Sequence, residues 1–303
     1  MGVSIRANLS ELRSGATGDA SDLSLRHGCA SAPATLFETA GNALATIFLA
    51  QSWSPYSAQA WNPPAWFLSC EAFFYLLFPW LAAWIDRRST HGLLMTVGWM
   101  WVFSLVPTVI YESLAPDGAG RIVWTSEAFW LFVVKFNPLL RLPEFIAGIA
   151  LGKLYLRNTP RDLSASHFRG ALLSTIGIVG VTIMCVTSES FSFLKLHNGL
   201  LTPFFDMTIY GLARGGGPIA AFLRHPRMVL LGDASYALYI FHYAVITYLM
   251  VIIAIARGRI LGPMGFLFVC VGIALVISVL IYLHYEIPAR KRLLVWLGVS
   301  SGD

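Results

Sequence analysis

The sequence predicts an all-α fold, a polytopic bundle of about eight transmembrane helices. Of its 303 residues, 56% are apolar and only 12% are charged, whereas soluble domains have about 25% charged residues. The mean hydropathy is +0.66, and long apolar stretches recur from residue 36 onward. Helices in a bilayer must be apolar on their outer faces as well as at their mutual contacts, which requires this composition. A disordered chain, a collagen and a DNA-binding module are therefore excluded.

The chain is predicted to have three parts. Residues 1–35 are polar and rich in small residues, with no apolar core of the kind found in secretory signal peptides, so we expect a disordered leader. Residues 36–292 are predicted to form one helical membrane domain. Residues 293–303 are predicted to be a short cytoplasmic tail.

Eight apolar stretches approach the roughly 20 residues that a helix needs to cross a bilayer. In chain order they are 36–52, 66–85, 92–111, 138–156, 170–187, 200–213, 229–256 and 262–285. The first, fourth and sixth are short or interrupted by polar residues, which makes them the weakest of the eight. A ninth stretch, 128–136, is too short to span and is predicted to lie at the membrane interface or to re-enter.

The basic residues predict the orientation of these spans. Most fall in alternate loops, in four groups: Arg87 and Arg88; Arg157, Arg161 and Arg169; Arg214, Arg224 and Arg227; and Arg290, Lys291 and Arg292. By the positive-inside rule, both termini are predicted to be cytoplasmic, in the inner membrane of the cell. Arg121, Lys195 and the pair Arg257 and Arg259 oppose this trend. The net charge of +5 is then a signal of topology, and no nucleic-acid partner is predicted.

The cysteines give no evidence of a metal or a disulfide framework. Cys29, Cys70, Cys185 and Cys270 are far apart in sequence. They show neither a C-x-x-C motif nor a zinc-like Cys/His spacing. No metal is therefore predicted.

Glu71 is an ionisable residue inside the second predicted span. A charge at the centre of a bilayer costs about 2.5–3.5 kcal/mol, so such a residue is a functional candidate by default. Glu71 lies about five residues into its helix, and Phe74 and Tyr75 share its face. Two interpretations stay open. The carboxylate lines a cavity as acid, base or substrate anchor, or it is structural and bonds to a Tyr or an Arg.

Arg141 and Glu144 are spaced i and i+3 on one helical face, in the same leaflet as Glu71. One interpretation is a self-contained ion pair that only stabilises helix packing. The other is a helix break at Pro143, between the two residues, that presents Arg141 to an anion.

His242 closes a helical stripe of polar aromatic residues, namely Tyr236, Tyr239, His242 and Tyr243. Its depth predicts a position in the same outer leaflet. Imidazole suits proton transfer at neutral pH, although a structural role among the aromatic rings is an open alternative. Asp206 is a further intramembrane carboxylate, predicted to be a packing residue or a cavity wall. From these depths we expect Glu71, Arg141, Glu144 and His242 to meet in one cavity as the catalytic residues.

Four sequence blocks follow one another over roughly 230 residues. The first contains Trp66, Leu68, Ser69, Glu71, Phe74 and Tyr75. The second contains Arg141, Pro143, Glu144, Phe145 and Gly148. The third contains Leu231, Gly232, Ser235, Tyr236, Leu238, Tyr239 and His242, and the fourth contains Glu286, Pro288 and Arg290. In this order the blocks resemble the acyltransferase-3 family of multi-pass membrane O-acyltransferases, with Phe67 where the family usually has Ser.

The resemblance implies transfer of an acyl group, usually acetyl, from acetyl-CoA or another acyl-CoA. The implied acceptor is a hydroxyl of a carbohydrate or of another cell-envelope or small-molecule compound. The implied partners are thus the lipid bilayer, the acyl-CoA donor and the hydroxyl acceptor.

The N-terminal region departs from the family pattern. The family's first helix carries an Arg and, eleven positions later, a His regarded as the catalytic base. Here the only His before residue 91 is His27, and Ala16 stands where that Arg would be. The family's basic R-x-x-R motif near an R-I-Y-P-type segment is not matched either. We therefore expect a domain without its first two helices and, at best, weak turnover.

The sequence is also compatible with two functional classes other than an acyltransferase. Intramembrane acidic and basic residues would equally suit a solute or proton transporter. A non-catalytic membrane remnant that binds glycan or lipid is the second alternative.

Overall fold

The computed structural model describes residues 36–118, 128–158, 163–215, 217–255 and 262–298. The predicted leader 1–35 lies outside these residues, and so do Arg121, Arg161, Arg257 and Arg259. The chain divides into two compact units, residues 1–41 and 42–303, and only residues 36–41 of the first unit are described. The described residues form helices and turns and contain no strand, which confirms the all-α prediction.

The helices are numbered in chain order. They are α1 (Leu36–Ile47), α2 (Trp66–Asp86), α3 (Thr90–Leu114), α4 (Phe129–Phe136), α5 (Pro138–Arg157), α6 (Leu163–Val186), α7 (Phe193–His197), α8 (Thr202–Ala213), α9 (Gly217–Leu223), α10 (Pro226–Asp233), α11 (Ser235–Ile255), α12 (Pro263–Ile281) and α13 (Ile287–Trp296). A π-helical turn, Tyr282–Glu286, joins α12 to α13.

Five helical segments among the described residues are long and apolar enough to cross a membrane. They are Pro63–Asp86, Thr90–Leu114, Ser166–Val186, Ser235–Ile253 and Met264–Trp296. The three predicted spans without such a segment are the first, fourth and sixth. Helices α1 and α8 have 12 residues each, which is about 18 Å of helix, and α5 carries several charged residues. Many large apolar side chains on the long helices are exposed, including those of Leu76, Trp80 and Leu94, as expected for surfaces that face lipid.

The predicted span 229–256 is wrong as a single helix. Helix α10 ends at Asp233 and α11 begins at Ser235. Ala234 between them has a ψ of −3°, far from the value of about −42° that continues an α-helix. The break lies inside the third sequence block, so its Leu-Gly and Ser-Tyr portions belong to different helices.

Helix α4 is the short apolar piece that was predicted not to span, and it has only eight residues. Asp117 caps it, because Oδ2 accepts hydrogen bonds from the Leu131 N–H (2.9 Å) and from the Tyr111 hydroxyl (3.0 Å). Leu131 and Val134 then pack against Tyr111 and Leu194. This cluster holds α4 between α3 and α7.

Helices α2, α3 and α5 form the part of the bundle that carries the candidate site. Ile85, Leu93, Ala150 and Leu154 make a buried cluster where these helices meet. Further along, the rings of Phe74 on α2 and Phe145 on α5 stack with centroids 4.7 Å apart. The two contacts set the separation of α2 and α5, whose facing residues include Glu71 and Arg141.

Candidate active site

A cavity of about 700 Å³ lies between α2, α5, α7 and α11. Its lining residues are Trp66, Phe67, Glu71, Phe74, Tyr75, Arg141, Glu144, Phe145, His197, Ser235, Tyr236 and Tyr239. The cavity therefore brings together Glu71, Arg141 and Glu144, three of the four side chains predicted to form the site.

The start of α2 is held in place by polar contacts that the sequence did not suggest. The Ser52 hydroxyl donates to the Trp66 carbonyl oxygen (2.5 Å), and the Gln51 amide donates to the Ala65 carbonyl oxygen (2.8 Å). Gln51 and Ser52 are both buried. These bonds orient the first turn of α2, one turn before Glu71.

Glu71 occupies the predicted face of α2, together with Phe74 and Tyr75. Its carboxylate interacts with the Tyr75 hydroxyl one helical turn away. Glu71 is half-buried, and it forms no ion pair with any Lys or Arg that the structure describes.

Arg141 is only 7% exposed, and most of its hydrogen bonds go to main-chain oxygens. Nε and Nη2 donate to the Lys135 carbonyl at 3.1 and 2.6 Å, and Nη1 donates to the His197 carbonyl at 3.0 Å. Glu144 is more distant, with Oε1 3.9 Å from Nη1. Arg141 therefore joins α5 to the segments around Lys135 and His197, and its pairing with Glu144 is secondary.

Of the two interpretations of this pair, the helix break at Pro143 is wrong, because α5 continues through this residue. A proline removes one main-chain hydrogen bond, here the one to the carbonyl of residue 139 in the first turn. Losing a single bond so close to the N-terminus leaves the remainder of the helix intact. Arg141 and Glu144 consequently stay on one helical face.

His197, at the end of α7, is a cavity residue that the sequence analysis did not identify. The next residue, Asn198, is 4% exposed, and its amide nitrogen donates to the Thr108 hydroxyl (3.0 Å) and the Val134 carbonyl (3.2 Å). Gly199 follows with a positive φ of 89°, which glycine adopts without strain. The His-Asn-Gly run between two apolar segments was the available signal for this turn.

The His197 ring contacts Arg141 directly. Nδ1 lies 2.6 Å from Arg141 Nη2 and 2.9 Å from Asn198 Oδ1. Burial, followed by the charge of the Arg141 guanidinium, lowers the pKa of His197 from its ordinary value to about 4. The imidazole is therefore neutral at physiological pH.

His242 does not line this cavity. It faces a neighbouring cavity of about 470 Å³ between α11 and α12, and the two cavities share only Ser235 and Tyr239. The Nδ1–H of His242 donates a hydrogen bond to the Tyr239 carbonyl oxygen, 2.7 Å away. Three residues of α-helix place two side chains about 60° apart around the helix axis, so Tyr239 reaches both cavities while His242 reaches only the one beside α12. The expectation that all four predicted residues share one cavity is thus wrong.

Asp206 lines a third cavity, of about 370 Å³, between α3, α5, α6 and α8. Of the two roles predicted for Asp206, a packing residue or a cavity wall, the structure shows the cavity wall. This cavity is not the one that contains Glu71. In the described part of the chain, no group of three or more His, Cys, Asp or Glu side chains has an arrangement that could hold a metal ion.

Comparison with known proteins adds a family and two relatives. The family described as "Acyltransferase domain" matches residues 31–283. The exopolysaccharide production protein ExoZ of Rhizobium meliloti (strain 1021) is 27% identical over 257 residues, which cover 84% of this chain and 70% of ExoZ. The acyltransferase MdmB of Streptomyces mycarofaciens is 27% identical over 207 residues, 67% of this chain and 50% of MdmB. No solved structure shows significant similarity to the chain.

Proposed function

The chain belongs to the acyltransferase-3 family, and from that premise we propose that this membrane acyltransferase moves an acyl group, acetyl by preference, from acyl-CoA to an acceptor hydroxyl. The proposed acceptor is a carbohydrate of the cell envelope. The cavity at Glu71 is the proposed place of reaction, with the polypeptide anchored in the inner membrane.

The single observation that carries this proposal is the chemistry of the cavity lining. Seven of the lining residues are aromatic: Trp66, Phe67, Phe74, Tyr75, Phe145, Tyr236 and Tyr239. Aromatic faces carry partial negative charge and pack against the C–H faces of sugar rings. Glu71 and Glu144 add carboxylate oxygens that accept hydrogen bonds from hydroxyl groups. The name of the relative ExoZ, an exopolysaccharide production protein, is consistent with a carbohydrate acceptor.

The proposed reaction forms one bond and breaks another. The acceptor oxygen bonds to the thioester carbonyl carbon, the C–S bond breaks, and the hydroxyl proton ends on the coenzyme A sulfur. A general base must hold that proton between the two events.

We assign the base role to Glu71 rather than to Glu144 or His242. Glu144 has the Arg141 guanidinium as a cationic neighbour, although at a long distance of 3.9 Å, and we assign it to anchoring an acceptor hydroxyl. His242 lines the neighbouring cavity and is absent from the lining of the cavity at Glu71. Glu71 combines a place in the aromatic cavity with a carboxylate that has no described cationic partner.

The test is an acyl-transfer assay with the full chain in lipid nanodiscs. Radiolabelled acetyl-CoA is supplied with soluble polysaccharides and simple glycosides as acceptors, and the product is scored as alkali-labile label, which marks an O-ester. Glu71→Gln is expected to lower kcat by about 10²–10⁴-fold, the usual contribution of a general base.

The matched control is Glu189→Gln, the same chemical change at an exposed turn between α6 and α7. It is expected to leave kcat unchanged. Absence of labelled ester with every acceptor would contradict the proposed function. Equal rates for Glu71→Gln and the unaltered protein would remove Glu71 from the base role.

A further inference from the structure

We infer that His197 is a further catalytic residue of this cavity, a neutral imidazole whose Nε2–H donates a hydrogen bond to the acyl carbonyl oxygen. The inference rests on the proposed function. His197 lies outside the four sequence blocks, and the distances around its ring support this role.

The tautomer of His197 follows from its neighbours. Arg141 Nη2 is 2.6 Å from Nδ1, and a guanidinium can only donate. A proton on Nδ1 would collide with that donor, so Nδ1 must accept and Nε2 must carry the hydrogen. Asn198 Oδ1, also near Nδ1 at 2.9 Å, would prefer the opposite tautomer. The charged donor at the shorter distance is the stronger partner.

The position of the ring is fixed on three sides. Arg141 Nη1 also bonds the His197 carbonyl oxygen, so one guanidinium holds both the ring and the main chain. Asn198 is bonded to α3 and α4 through Thr108 and Val134. Trp101 Nε1 donates to the Gly199 carbonyl oxygen at 3.0 Å. A donor held this rigidly is already oriented before the reaction, which is what stabilises a developing oxyanion.

Two other strong donors around the cavity, those of Arg141 and Tyr239, are committed elsewhere. The Arg141 guanidinium bonds the Lys135 and His197 carbonyls, and the Tyr239 hydroxyl donates to the Pro64 carbonyl oxygen at 2.9 Å. Among the residues with described side chains, none accepts a hydrogen bond from His197 Nε2. This N–H is therefore available to a bound substrate.

The chemical step is the attack of the acceptor hydroxyl on the thioester carbonyl. As the C–O bond forms, the carbonyl oxygen gains negative charge and the hydroxyl proton passes to Glu71. His197 Nε2–H donates to that oxygen and keeps its proton throughout. When the intermediate collapses, the C–S bond breaks and the C=O bond reforms. The leaving thiolate of coenzyme A then receives from Glu71 the proton that came from the acceptor hydroxyl.

Two substitutions separate the two nitrogens of the ring. In His197→Asn, the side-chain amide reaches the place of Nδ1 and can still accept from Arg141, but the cavity loses its donor. In His197→Gln, the amide reaches the place of Nε2 and restores an N–H, but the Arg141 contact is lost. Both variants are assayed for kcat and KM in nanodiscs, and both are followed in thermal unfolding.

We expect His197→Asn to unfold near the temperature of the unaltered protein, with kcat reduced about 10²–10³-fold, the usual effect of removing one oxyanion donor. We expect His197→Gln to unfold at a lower temperature and to retain more of kcat. A purely structural role predicts the reverse order of activities. A fully active His197→Asn would overturn this inference and leave the proposed function standing, whereas an inactive unaltered protein would contradict the proposed function itself.

An independent readout needs no substrate. In protein labelled with ¹⁵N-histidine, the ring shifts distinguish the Nε2–H tautomer from the Nδ1–H tautomer, and His197→Gln identifies the resonance. The Nε2–H form is expected for His197, and the Nδ1–H form would contradict the inference.

Discussion

At His197, burial first and two neighbouring cations second keep the imidazole uncharged. Burial and the charges of Arg141 and Lys135 lower the pKa of His197 to about 4, and the Asn198 contact only partly opposes them. The unfolded chain binds this proton near the ordinary pKa of about 6.5. The contribution of His197 to the free energy of unfolding is therefore fully present above pH 6.5 and is lost as pH falls from 6.5 toward 4.

The measurement is the dependence of thermal unfolding on pH between 7.5 and 4.5, compared with His197→Asn. The unaltered protein should lose stability more steeply below pH 6.5, because Asn does not titrate. An NMR titration should place the midpoint of the His197 ring near pH 4. A midpoint near 6.5 would show that neither burial nor the Arg141 charge lowers the pKa of the ring.

The residues of the site differ in how far sequence could predict them. Glu71, Arg141 and Glu144 were identified because charged residues inside apolar helices are costly and rare. His197 was missed because it lies in a short helix between spans, and its partner Arg141 is 56 positions away. His242 was assigned to the wrong cavity, since periodicity gives the face of a helix but not the neighbour which that face contacts.

At the scale of elements, α6 and α8 approach each other through glycines. A Cβ on Gly211 of α8 would lie 2.5 Å from the Ser174 nitrogen and 2.6 Å from the Gly170 carbonyl oxygen. Both atoms belong to the backbone of α6 and cannot rotate away. Small residues allow such close approach between membrane helices.

Gly211→Ala is expected to force α6 and α8 apart and to lower the free energy of unfolding by about 1–3 kcal/mol, the usual cost of overpacking. Unfolding of the protein by increasing SDS in mixed micelles measures the change. Gly272→Ala on α12 is the matched control, because a Cβ there meets nothing within 4 Å. Equal loss of stability in the two variants would exclude close packing as the cause.

The elements themselves were predicted unevenly. Long apolar runs such as those of α2 and α3 were identified because about 20 consecutive apolar residues give an unambiguous signal. The division between α10 and α11 was missed because hydropathy is averaged over many residues, whereas the break is a local change of backbone angle at Ala234. The first predicted span, 36–52, was also longer than the helix α1 that forms there. Its helix ends at Ile47, and Leu49 soon after has a positive φ of 53°.

At the scale of the whole membrane domain, charged contacts collect at the two ends of α3. Near its first residue, Arg157 donates to the Asp86 carbonyl oxygen (2.6 Å), and Arg214 donates to the Asn158 carbonyl oxygen (2.6 Å). Three loops predicted to be cytoplasmic thus meet at one end. Near its last residue, Lys195 pairs with Glu112 at 2.9 Å. The 25 residues of α3 separate the two sets by about 37 Å, enough to cross a hydrocarbon core of about 30 Å.

This arrangement predicts which end of α3 faces the cytoplasm and which faces the outside of the cell. In a background with all four cysteines replaced by serine, a single cysteine is introduced at Arg227 or at Glu189, both exposed. By the positive-inside rule, Glu189→Cys should react with a membrane-impermeant maleimide in intact cells. Arg227→Cys should react only after permeabilisation. The opposite labelling pattern would reverse the orientation, and it would place the Arg157 and Arg214 contacts outside and the Lys195–Glu112 pair in the cytoplasm.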